Sequence, residues 1–282
     1  MTLKTVVIPA AGMGTRMLPA TKSVPKELLP VYDTPLMHFA LNEAAEAGAE
    51  RIVVVSHPSK TALETYLRPA SRLERALAAK AKHEALDSLR DLSFDDIDIR
   101  VVHQEKALGL GPAVLQAREH VEEKAFGVIL PDDLLLSGRC LARMARAWDA
   151  PECVNLVGAM EVPRETVSSY GIFDLGPGRS AGVRAASGMI EKPDPARAPS
   201  TLAAIGRYVL SHDIFDALET TGRGAGGEVQ LTDAIAAMPG LHAFEVGETR
   251  FDCGSKEGLF EATVAVRGLR EAARQPLAMA AE

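Results

Sequence analysis

Three cations, Arg16, Lys22 and Lys26, follow closely on a loop of small residues, Ala10-Ala11-Gly12-Met13-Gly14. Small side chains let backbone N–H groups approach an anion, and glycine tolerates the backbone angles that such a nest requires. Cations and a nest together suit a phosphorylated ligand, although a glycine-rich turn after a strand can also be purely structural. Two common phosphate motifs do not fit. A dinucleotide fingerprint needs G-x-G-x-x-G opening a helix, but position 17 is Met and Pro19 follows. The acidic residue Asp33 lies in a turn between Pro30 and Pro35, not at a strand end. A Walker A loop needs Gly before Lys-Ser, and Lys22-Ser23 is preceded by Thr21.

Carboxylates form the second group. Asp132 follows the hydrophobic run Phe126-Gly-Val-Ile-Leu130 and Pro131, and Asp252 stands in Arg250-Phe-Asp-Cys-Gly254. Each could be a simple turn former or cap. Brought together, they could hold Mg²⁺, a hard cation that prefers oxygen and keeps several waters. No His or Cys cluster competes for a transition metal. Gln104 precedes a second glycine-rich turn, Leu108-Gly109-Leu110-Gly111-Pro112, and its carboxamide offers both a donor and an acceptor. Taken alone, Glu191-Lys192-Pro193 is an ordinary polar turn.

These residues need a frame. Val6-Val7-Ile8 and Ile52-Val-Val-Val55 are β-branched runs suited to strands buried on both faces. Between them, Pro35 to Ala47 has helical spacing, with Gly48 as its stop. Strand, helix, strand implies a right-handed parallel crossover and an α/β class. Residues 60–92 read as charged peripheral helices with a leucine stripe. Ile97–Gln104 and Phe126–Leu130 are further strands, and a helix after Gly111 is expected to reach about Glu122. Successive strands thus end in glycine-rich or polar loops, as at the ligand edge of an open sheet.

Past Asp149, strands separated by turns (Asn155–Val162, Tyr170–Leu175, Met189–Lys192, Ala203–Leu210) suggest a more antiparallel half. Ser180–Arg184 and Asp194–Ser200 read as loops. Val229–Met238 is expected to be a helix and Leu241–Val246 a strand. Ser255 can cap a last helix through about Arg270, with a frayed tail over 275–282.

The chain has 282 residues and a net charge of −7, which disfavours non-specific nucleic-acid binding. Its three cysteines are widely spaced and odd in number, which argues against a disulfide framework or zinc site and fits reduced thiols in the cytoplasm. Neither a signal peptide nor a membrane span is expected.

Ala11-Gly-Met-Gly-Thr-Arg-Met-Leu-Pro19 with Pro25-Lys-Glu-Leu-Leu-Pro30 resembles the signature loop of the sugar-1-phosphate nucleotidylyltransferases. The longer string Thr15-Arg-Met-Leu-Pro-Ala-Thr-Lys22, continued by Pro25-Lys-Glu27, is similar to that of the bacterial UTP–glucose-1-phosphate uridylyltransferases. The resemblance covers nearly the whole chain, to about Leu269, and is loose over 60–92. Pro112 departs from the pattern, which often has His there.

The resemblance implies a Rossmann-like nucleotidyltransferase fold, with a central mixed, mostly parallel sheet flanked by helices. It implies one domain over 1–270, with a nucleotide-binding half at 1–150, a sugar-phosphate half at 151–252 and a C-terminal helix from 255. UTP and glucose 1-phosphate are the implied substrates and Mg²⁺ the implied cofactor. Arg16, Lys26 and Lys192 are the implied catalytic cations, and Asp132 and Asp252 the metal residues. Ala10, Ala11, Gly12, Gly14, Glu27, Gln104, Gly109, Asp132, Gly171 and Glu191 are the implied substrate contacts. A homo-oligomer, dimer or tetramer, is expected, with no nucleic-acid or membrane partner. Two alternatives stay open: a thymidylyltransferase of the same fold, because Gln104 cannot tell uracil from thymine by hydrogen bonds, and a non-catalytic nucleotide-sugar-binding homologue.

Overall fold

Val6, Val7 and Ile8 are all fully buried, and alternate side chains enter different cores: Val6 and Ile8 one, Val7 the other. In the computed structural model, which describes residues 3–90, 93–106, 108–148, 153–177 and 182–274, they lie in strand β1 (Thr5–Pro9). A small hairpin, β2 (Pro30–Val31) and β3 (Thr34–Pro35), precedes α1 (Leu36–Glu46), β4 (Arg51–Ser56) and three peripheral helices, α2 (Thr61–Tyr66), α3 (Ser71–Ala79) and α4 (His83–Arg90). Next come β5 (Asp98–His103), α5 (Leu110–Leu115), β6 (Ala125–Ile129), β7 (Asp133–Leu135) and α6 (Cys140–Ala147). The remaining strands are β8 (Asn155–Glu161), β9 (Gly171–Leu175), β10 (Val183–Glu191), β11 (Leu202–Ser211), β12 (Leu241–Glu245) and β13 (Arg250–Asp252). Helices α7 (Ile214–Thr220) and α8 (Leu231–Ala236) fall between β11 and β12, and α9 (Lys256–Arg274) closes the described chain.

Nine strands form one sheet in the order β5-β4-β1-β6-β11-β8-β12-β10-β9. β10 and β11 run against the others, so the sheet is mixed but mostly of one direction. One core packs α1 and α6 on one face, and a second packs α5, α7 and α8 on the other. The expected fold class is therefore what forms.

The registers place the site. Pro9 is level with Val55 and Ser56 with His103, so the loops after β1, β4 and β5 leave one edge. β6 leaves the same edge, because Val7 pairs in parallel with Val128. β11 carries the alignment across: Arg207 faces Ile129, and Ala203 faces Ile172 beside Gly171, which faces Glu191.

Local signals account for several boundaries. Gly48, at φ 88°, ends α1 with its N–H on Ala45 and the Ala49 N–H on Ala44, both carbonyls otherwise orphaned. Ser255 caps α9 by accepting the Gly258 N–H at 3.1 Å. Other boundaries differ from expectation. α5 stops at Leu115 because the N–H groups of Ala117, His120 and Val121 turn to carbonyls three residues back, and the His120 carbonyl accepts from Arg51. α8 begins at Leu231 because Val229 is held extended, donating to Leu108 and accepting from Gly111. Val183 and Arg184 belong to β10 rather than a loop, pairing with Phe244 and Ala243. α9 runs to Arg274, beyond the expected end. In the peripheral helices Leu63 and Leu86 are buried, but Leu73 is exposed, so the leucine stripe is not one continuous core. Strands β2, β3 and β7 and helices α6 and α7 were not anticipated. The tail over 275–282 and the boundary at 150 lie outside the described residues.

Candidate active site

The small-residue loop leaves the end of β1 and coils through three short 3₁₀ turns, not a helix. Gly14 sits at φ 65°, in the region that favours glycine. A Cβ on Gly12 would meet nothing within 4 Å, so that face is open. Ala10 is less free than expected. Its N–H is used by Val55 and its carbonyl accepts from Lys60 Nζ at 2.6 Å, so it contributes shape rather than a spare amide. Ala11 is buried beside it.

Glu27 corrects the expectation most clearly. It is fully buried, and both its oxygens accept from Lys60 Nζ, at 3.0 and 2.9 Å. A carboxylate so engaged braces the loop from beneath, with neither oxygen free of Lys60. Lys60, which sequence reasoning passed over, is the brace's other half. Burial lowers its pKa, a shift that Glu27 opposes.

Asp132, Asp252 and Arg16 do converge. A Cβ built on Gly254 would lie 2.8 Å from an Arg16 nitrogen and 3.0 Å from an oxygen of each carboxylate, so only glycine leaves this space clear. Asp252 also accepts the Gly254 N–H at 3.0 Å. β13 pairs with β7, setting Asp252 opposite Asp133, and the Cys253 N–H is bound to the Asp132 carbonyl.

Lys26 completes the cluster, its ammonium 2.5 Å from Asp132. Burial pushes the Asp132 carboxyl up, but Lys26, a backbone hydrogen bond and Arg16 together hold the group below the usual carboxylate range. Burial likewise pulls Lys26 down, and Asp132 with Glu27 raises it above its ordinary value. Asp133, next door, is a structural anchor: it accepts the Gly206 N–H at 2.5 Å and pairs with Arg250.

Two facing carboxylates are hard oxygen donors of the kind Mg²⁺ takes. Among the described residues no group of three or more His, Cys, Asp or Glu side chains gathers as a metal cage.

Gln104 and Gly109 meet, as expected: Gln104 Nε2 donates to the Gly109 carbonyl at 3.2 Å, leaving its oxygen and second N–H for a ligand. Gly109 has φ 110°, and a Cβ there would sit 2.8 Å from the Val229 carbonyl oxygen. Gly109→Ala should therefore cost about 1 to 3 kcal/mol of stability in urea denaturation. A loss below about 0.5 kcal/mol would show that this turn tolerates a side chain.

The sugar-side residues also assemble. Gly171 and Glu191 are paired across β9 and β10, and a Cβ on Gly171 would lie 3.2 Å from a Glu191 oxygen. Thr232, from α8, donates to Glu191 at 2.8 Å and was not singled out from sequence, although its segment had been noted. Lys192 is half exposed, 3.4 Å from Glu191, and its backbone is at φ 49°. Its N–H donates to the Tyr170 carbonyl at 2.9 Å.

Known proteins resemble this chain over nearly its whole length. The nucleotidyl transferase family pattern matches residues 5–267. A UTP–glucose-1-phosphate uridylyltransferase of Haemophilus ducreyi is 41% identical over 270 residues, 92% of this chain and 91% of the relative. A solved apo UDP-glucose pyrophosphorylase superposes with a TM-score of 0.87 at 37% identity, covering 95% of this chain and 100% of that one. A UTP-bound UGPase from Acinetobacter baumannii gives 0.86 at 36% identity, over 98% of this chain and 100% of that one. Matched almost end to end, and bearing a small-residue loop, paired carboxylates and cations on one sheet edge, this chain belongs to the nucleotidyl transferase family, among the UTP–glucose-1-phosphate uridylyltransferases.

Proposed function

We propose that the chain catalyses UTP + α-D-glucose 1-phosphate = UDP-glucose + diphosphate. The observation that carries this reading is the meeting of Arg16, Lys26, Asp132 and Asp252 on the sheet edge that also bears Gly171, Glu191 and Lys192. A phosphate oxygen of the sugar attacks the α-phosphorus, the bond to the bridging oxygen breaks, and diphosphate leaves. The nucleophile is already anionic, so no general base is required. The barrier is repulsion between two polyanions and charge growth at phosphorus, which positioned cations lower.

Each role follows from chemistry. Arg16 and Lys26 take the triphosphate, supported by amides of the Ala11–Gly14 loop. Gln104 and Gly109 receive the base, and Glu191 accepts from sugar hydroxyls beside Gly171. Lys192 pairs with the attacking phosphate. Asp132 and Asp252 would hold Mg²⁺, which withdraws charge from phosphates when bound. We read residues 1–270 as one domain and expect a homo-oligomer. Three buried free thiols, Cys140, Cys153 and Cys253, suit the cytoplasm. Among the described residues no helix is long and apolar enough to cross a membrane.

The test is a substrate matrix: UTP, dTTP, ATP and GTP against several sugar 1-phosphates, with and without Mg²⁺, read as diphosphate release. UTP with glucose 1-phosphate and Mg²⁺ should dominate. Preference for dTTP would reassign the nucleotide, and silence in every cell would make the protein a binder rather than an enzyme.

A further inference from the structure

Lys192 has little to fix it in place. Its side chain is half exposed, and its one ion-pair neighbour among the described residues is Glu191. Its backbone occupies the left-handed region, which a lysine holds only under constraint. That constraint comes from the Tyr170 carbonyl, which accepts the Lys192 N–H at 2.9 Å. Tyr170 is held in turn by Arg250. Arg250 Nη1 donates to the Tyr170 hydroxyl at 3.2 Å, and the guanidinium lies 5.4 Å from the centre of the Tyr170 ring. The other side of the guanidinium is locked to Asp133, through Nε at 2.7 Å and through Nη2. Asp133 adjoins Asp132, and Arg250 stands two residues before Asp252 on the paired ribbon β7–β13.

An unbroken line of contacts therefore joins the acid-bearing strand ends to the backbone that presents Lys192. We propose that Arg250 is a positioning residue, which sets Lys192 relative to Asp132 and Asp252 by clamping Tyr170. The proposal rests on the transfer reaction argued above. It goes beyond charge balance: neutralising Asp133 needs only a cation, whereas reaching Asp133 and Tyr170 together while stacking on the ring needs the planar fork of arginine. Lysine offers a compact charge and cannot do all three.

The experiment compares wild type, Arg250→Lys, Tyr170→Phe and the double variant in steady-state diphosphate release, with KM measured separately for UTP and glucose 1-phosphate. Tyr170→Phe leaves the Arg250–Asp133 pair and the ring in place and removes the clamp's one hydrogen bond, so it decides the matter even where Arg250→Lys folds poorly. Each single variant should raise KM for glucose 1-phosphate about tenfold, the scale of one hydrogen bond to a charged group, while KM for UTP moves less than about twofold. The double variant should be no worse than Arg250→Lys, because both remove the same clamp. Tyr170→Phe with unchanged KM for glucose 1-phosphate would overturn the proposal. So would strict additivity, or equal shifts in both KM values with a lowered unfolding temperature, which mark a role in folding alone. A wild-type enzyme that releases no diphosphate would overturn the reaction itself, and the positioning role with it.

Discussion

Lys192→Ala should lower turnover by about a hundredfold or more, equivalent to roughly 3 kcal/mol of transition-state stabilisation lost with one preorganised charge contact. The side chain is half exposed and, among the described residues, pairs with neighbouring Glu191 at 3.4 Å, so its loss removes little from the fold. Glu191 keeps its hydrogen bond from Thr232. Unfolding in urea should therefore be nearly unchanged while diphosphate release collapses. Free glucose 1-phosphate carries its own charge to the site, so the missing ammonium is felt most where that phosphate must lie in line with the α-phosphorus. A variant that keeps turnover within about threefold of wild type would remove Lys192 from the chemistry.

The second large effect concerns stability. Arg207, in β11, is 2% exposed and binds both oxygens of Glu43, in α1, which is 1% exposed. Glu43 also accepts the Leu141 N–H at 3.0 Å, and Arg207 donates to the Leu130 and Gly206 carbonyls. Arg207→Met keeps most of the apolar stem but strands a buried carboxylate, which should cost about 3 to 5 kcal/mol. Adding Glu43→Leu should recover much of that, because the unpaired charge goes with it. Urea denaturation of the two variants tests both statements. A single variant that loses less than about 1 kcal/mol would show that water reaches Glu43.

Such pairs explain what the sequence hid. Val6-Val7-Ile8, the glycine loop and Asp132 at the end of a hydrophobic run are local signals, and the structure puts them where their neighbours suggested. Lys60–Glu27, Arg207–Glu43 and Arg250–Asp133 are not local. Each joins charged residues distant in sequence, and a buried Lys or Glu reads like a surface one until its partner is known. Glu27 misled for this reason: it follows Lys26, which pairs with Asp132, yet its own oxygens are taken by Lys60. α6 had a signal that went unused, since Leu141, Met144 and Ala145 are buried at helical spacing. α7 had one in Ile214, Phe215 and Leu218. β7 and β13 are three residues each, too short for a pattern, and exist because they pair with each other.

The ladder between β6 and β11 runs from Arg207 opposite Ile129 to Ser211 opposite Ala125. It is the seam where the parallel strands β5, β4, β1 and β6 meet the rest of the sheet, and the Arg207–Glu43 pair rivets it. A jaw-like swing of one half against the other would have to tear that ladder. The nine-stranded sheet is thus a continuous floor, and the loops that leave its edge, such as Gly12–Gly14, are anchored to a part of the molecule that is hydrogen-bonded from side to side.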